Sequence, residues 1–145
     1  MLTRILHAFT HPDPEPLPEP DEKLALGALM VRVAKSDDTY LFEEISRIDK
    51  LLTRLFGLNP VEAAKMRATC EKLDHEAPET ERFATLIRNT VSRGARVDAL
   101  EAMWEVLLAD GATHDVEFQV IEAARIAMGL SAADDAKARA TALKA

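Results

Sequence analysis

Cysteine is all but absent. Cys70 stands alone, so no disulfide can form within the chain, and a reducing, cytoplasmic setting is the expectation. Glycine and proline are scarce, at five and seven residues, and most of the prolines crowd into residues 12–20. Aromatic residues make up 5%, with a single tryptophan. Runs that alternate polar and apolar residues are missing too. These shortages exclude a disulfide scaffold and a turn-rich β-fold, and they leave helix.

Long hydrophobic runs are also lacking. The stretch Leu24–Val31 holds eight uncharged residues, far short of the ~20 that cross a bilayer. Residues 1–9 lack the apolar core of a secretory signal. Positive charge is in deficit: 18 Lys and Arg against 25 Asp and Glu give a net of −7. Such a surface repels phosphates on average, so nucleic acid is not an expected partner. The glycine patterns of phosphate-binding loops, dinucleotide folds and serine hydrolases do not occur. Cys70 and His75 lack the repeated spacing of a zinc site. His7 and His11 stand four apart in what reads as a tail.

What is present is helical periodicity. In Val97–Leu130, Leu100, Met103, Trp104, Leu107 and Leu108 mark one apolar face. Asp110-Gly111 ends that helix. After a short acidic loop, Phe118, Ile121, Ala124 and Met128 mark another, closed by Gly129. Upstream, Leu2, Ile5, Leu6 and Phe9 form the stripe of a short helix, followed by the acidic, proline-rich tether PDPEPLPEP. Residues 1–20 are therefore read as tail and tether, and residues 21–145 as one helical domain. Asp21 is the expected cap of a helix that is apolar on nearly every side to Ala34, with Gly27 permitting close approach. Leu41, Ile45, Ile48, Leu52 and Leu55 predict the next face. Gly57-Leu58 reads as a stop, and Asn59-Pro60-Val61-Glu62 as a restart. Met66, Cys70 and Leu73 continue that helix, Asp74–Pro78 reads as a loop, and Phe83, Leu86, Ile87 and Val91 follow. Ser92 is the preferred cap of the next helix, with Gly94 in its first turn. A last helix is expected at 132–143.

The sequence repeats itself. At a shift of 73, Met30, Val33, Asp37, Glu44 and Ile48 meet identical residues at Met103, Val106, Asp110, Glu117 and Ile121. The Gly-Leu stops match at 72. The expected architecture is an all-α bundle of about seven helices built from two helical hairpins in pseudo-twofold relation.

Two acidic clusters sit in the repeated loops: Asp37, Asp38, Glu43 and Glu44, then Asp110, Asp115 and Glu117. An acid in the last turn of a helix faces the negative end of the dipole. Two readings stay open. The carboxylates cap the amides that open the next helix, or Asp37, Glu44, Asp110 and Glu117 hold Ca²⁺ or another hard divalent cation. The spacing does not follow the EF-hand pattern. Cys70 lies near Lys65, Arg67 and Lys72, which could lower its pKa, yet its helical register makes it core-lining.

The segments LLADGATHDVE…GLS and MVRVAKSDD…EE…GLNPVEA resemble the TerB-like family, named for bacterial tellurite resistance, over about residues 24–143. Two departures stand out: Asp38 replaces the usual glycine of the first loop, and Ala95 stands where a capping acid is expected. The resemblance implies an all-α bundle and a role in stress response or protein interaction rather than catalysis. The first expectation is thus a non-catalytic interaction or adaptor module, with an unidentified protein partner and room for homo-oligomers. The alternative is a metal-dependent hydrolase using the loop carboxylates. Acids converging in one pocket would favour the enzyme.

Overall fold

Asp21 opens the first helix by accepting the Leu24 amide at 2.8 Å. In the computed structural model, residues 17–36, 39–77, 79–109, 111 and 115–145 are described. They contain seven helices and no strand: α1 Glu22–Lys35, α2 Phe42–Phe56, α3 Pro60–Glu76, α4 Thr80–Thr90, α5 Arg93–Leu108, α6 Asp115–Ala127 and α7 Ala132–Leu143. The expected helix at residues 1–9 lies outside the described residues. No described helix is long and apolar enough to cross a membrane.

α1 and α5 form the centre. α1 buries Ala25 through Val31 without a break, then Val33 and Ala34. A helix that is apolar all round belongs inside a bundle, and here it meets α3, α4, α5, α2 and α6. α5 buries Leu100, Met103, Trp104 and Leu107. α1 packs most heavily on α3, and α5 on α7. α1 also touches α6, while α5 touches α2. Related hairpins would make this reciprocal set of contacts. α4 lies against α1 and α6.

The helix ends keep the repeat in register. Lys35 and Leu108 end the first helix of each half, and Phe42 and Asp115 begin the second, both pairs 73 residues apart. Gly57 and Gly129, at φ 64° and 72°, supply the left-handed turns, 72 apart. Asn59 and Ser131 then open α3 and α7. Each accepts an amide three residues on, from Glu62 at 2.8 Å and Asp134 at 3.1 Å. The acids Glu62 and Asp134 reach back to the cap amides at 3.0 and 2.8 Å, a reciprocal capping box. Ser92 caps α5 through the Ala95 amide, with Gly94 inside the first turn.

Two expectations need correction. α3 runs through Asp74 to Glu76, because Arg32 holds Asp74 at 2.7 Å and anchors the last turn. The buried face of α2 is Glu44, Ile48, Leu51 and Leu52, whereas Leu41 is the cap and Leu55 is partly exposed. Cys70 lines the core, as its helical register predicts, and its basic neighbours do not activate the thiol. Burial, with Glu71 and Asp21 nearby, pushes its pKa up to about 12.

Candidate functional site

The first loop leaves α1 at Ser36, whose hydroxyl donates back to the Val33 carbonyl at 2.8 Å. The chain re-enters helix at Phe42. Glu44 is the third residue of α2, and it turns inward. It is 1% exposed, and its Oε1 accepts the Leu41 amide at 3.1 Å. That bond satisfies an amide that α2 cannot serve itself. Glu43 points to solvent. Phe42, the first residue of α2, is 77% exposed.

The second loop repeats the plan. Gly111, at φ 74°, donates its amide to the Leu108 carbonyl at 3.2 Å. Glu117 is the third residue of α6 and is 0% exposed, while Asp115 faces solvent. Glu44 and Glu117 therefore occupy the same step of the two loops, and both carboxylates lie in the interior. Asp37, Asp38, Asp110 and His114 fall outside the described residues. The cap role expected for the loop acids holds for Glu44. Among the described residues, no three His, Cys, Asp or Glu side chains gather as a cation cage.

Two charged positions escaped sequence reasoning. Arg32 interrupts the apolar run of α1. It binds Asp74 through Nε, donates to the Asp74 carbonyl at 3.0 Å and the Ala77 carbonyl, and lies 5.4 Å from the Phe83 ring centre. Glu105 interrupts the apolar run of α5. It is buried and meets Arg54 at 2.5 Å and Arg47 at 3.6 Å, both on α2. Residues 32 and 105 are 73 apart, the repeat shift, with opposite charges. A single ionic residue inside an apolar stretch is the signal that could have found them, since a buried charge demands a partner.

Beside the first loop, α2 and α3 enclose a shallow groove of about 540 Å³, lined by Phe42, Ile45, Ser46, Pro60 and the Arg67–Asp49 ion pair at 2.6 Å. Val61, 64% exposed, stands next to Pro60. On the other half, Trp104 donates to Asp135 at 2.8 Å and meets Phe118 edge-on at 5.5 Å, with Arg139 over both rings. Tyr40 sits half-buried behind the first loop. Burial and the Glu71 carboxylate raise its pKa well above the ordinary phenol range.

No curated protein and no solved structure matches the chain. The family model for tellurite resistance protein TerB matches residues 23–140, from the first turn of α1 into α7. With the repeated hairpins and their matched loops, this places the chain in the TerB family.

Proposed function

We propose that the chain is a non-catalytic interaction module of bacterial stress response, and that it takes a protein partner on the α2–α3 face beside the first loop. The observation that carries this reading is the exposure of Phe42 at the edge of a groove whose other lining residues include Ile45, Pro60 and the Arg67–Asp49 ion pair. A large aromatic left in water at a helix start has an unrealised burial of ~1.5–3 kcal/mol. Exposed aromatics near a groove are the anchors that interfaces use. The loop and the face are coupled. Glu44 fixes the Leu41 amide, and so the direction in which Phe42 leaves the loop.

The test is a pull-down from bacterial lysate with the wild-type chain, Phe42→Ser, and Val116→Ser as the control on an exposed residue of α6. A partner retained by wild type and by the control, and lost by Phe42→Ser at unchanged melting temperature, supports the face. Equal retention by all three overturns it.

A second reading rests on the complete burial of Glu117. Here a divalent cation such as Ca²⁺ binds the loops through Asp37 and Glu44, and through Asp110 and Glu117. Few carboxylates on a short loop give a Kd of order 10⁻³ M. At ~10 mM Ca²⁺ linkage then stabilises by about 1.4 kcal/mol, several degrees of melting temperature beyond a salt control of matched ionic strength. Asp110→Asn with Glu117→Gln should abolish the contribution of the second loop. A full shift in that variant removes the loop from consideration, and no shift in wild type leaves both glutamates as caps.

A further inference from the structure

An apolar groove of about 200 Å³ opens between α1, α2, α4 and α5. Its floor is Leu26, Leu55, Phe56, Ile87 and Val91, and its rim carries Glu22, Lys23 and Asp98. That volume is below the ~300–1,000 Å³ of small-molecule sites. It suits a few apolar side chains. We propose that residues 2–9 of the same chain seat their apolar stripe in this groove.

Three observations converge on that occupant. Leu2, Ile5, Leu6 and Phe9 stand at i, i+3, i+4 and i+7, the anchor spacing of a helix laid in a groove. The described chain begins at Leu17, which packs on the core, and Glu22 and Lys23 form a wall of the groove. Leu17 is five residues from Glu22, at most ~18 Å along the chain. The eight steps from Phe9 to Leu17 span ~25 Å as an extended proline-rich tether, enough to fold back. A tether this short holds the stripe at a local concentration of about millimolar, so modest affinity suffices.

The test uses the full chain with His7→Cys, opposite the stripe, carrying a nitroxide spin label. Cys70 is buried and stays unlabelled. Methyl signals of Leu26, Leu55, Ile87 and Val91 should lose most of their intensity, while Ile126 and Val116, both on α6, keep theirs. Ala95 lies exposed on the groove wall at the third position of α5. Ala95→Glu places a carboxylate there and can complete a capping box with Ser92, so the fold is kept. It should return the groove signals to the level of Ile126, as should Leu6→Ser with Phe9→Ser. Uniform broadening, an unaffected groove, or broadening that survives Ala95→Glu overturns the proposal. So does broadening seen only when a spin-labelled chain is mixed with an isotope-labelled one, since the stripe then binds between copies.

Discussion

Gly27 and Cys70 fit each other as a hole fits a peg: a Cβ built on Gly27 would overlap the Cys70 Sγ and come within 3.4 Å of the Cys70 Cβ. The two residues bring α1 and α3 together in the densest contact of the first half. Gly27→Ala should therefore destabilise by about 1–3 kcal/mol, as overpacking does in a filled core. Cys70→Ala in the same chain should recover most of that loss, because the sulfur is what the new methyl meets. Denaturant midpoints of the two single variants and the double variant measure the coupling. Simple additivity would mean that the helices move apart instead.

The same sulfur predicts an alkaline signature. Burial holds the folded thiol near about 12, against an ordinary 9.0. Below pH 9 the thiol is protonated in both states and has no effect. Between pH 9 and 12 the unfolded chain releases this proton and the folded chain does not, so the unfolded state gains and stability falls as pH rises. Cys70→Ala should show a flatter decline in melting temperature across that window. Iodoacetamide should leave native wild type unmodified at pH 8 and label it once denatured. Rapid labelling of the native chain would contradict the burial.

Glu105 tests how a buried charge is held. Replacing both Arg47 and Arg54 by Met strands the carboxylate and should cost about 3 kcal/mol or somewhat less, given that the arginines are partly exposed. Glu105→Met removes the charge itself and should cost much less. Thermal melts of the two variants should differ in that order, and the reverse order would show that Glu105 is solvated in solution.

Trp104 joins packing to a polar bond. At 3% exposure, its truncation to Ala should cost ~3–5 kcal/mol. Trp104→Phe keeps much of the ring burial but removes the bond to Asp135, and should cost about 1–2 kcal/mol. Urea unfolding followed by circular dichroism checks both, and an unchanged midpoint in Trp104→Phe would show that the bond to Asp135 contributes nothing.

Most helix ends were legible because their signals are local. Asp21, Gly57, Asn59, Ser92, Gly129 and Ser131 act within four residues of themselves, so short-range sequence carries them. The face of α2 was legible in part: of the stripe Leu41, Ile45, Ile48, Leu52 and Leu55, Ile48 and Leu52 are buried, and tertiary packing turns the face from Leu41 and Leu55 toward Glu44 and Leu51. It buries the acid and leaves Phe42 outside. The end of α3 was missed for a similar reason: Arg32, forty-two residues away, stabilises it. At the candidate site, sequence found both loops and their glutamates. It could not give the depth of those carboxylates, nor the partners of Arg32 and Glu105, which are properties of what faces them.

The repeat shift is 73 at Ile121 and 72 at Gly129, so one residue is missing toward the end of α6, which has 13 residues against the 15 of α2. One residue fewer in an α-helix retracts its exit by ~1.5 Å and turns it by about 100°. The next helix must then depart on a different heading. In the first half α3 lies along both α1 and α2, whereas in the second α7 lies along α5 with little contact to α6. Arg139 crosses the opening to reach Phe118, and a cavity of about 370 Å³ remains there. A single skipped residue thus changes the phase of one hairpin against its twin, so two halves of common plan present two unlike outer walls.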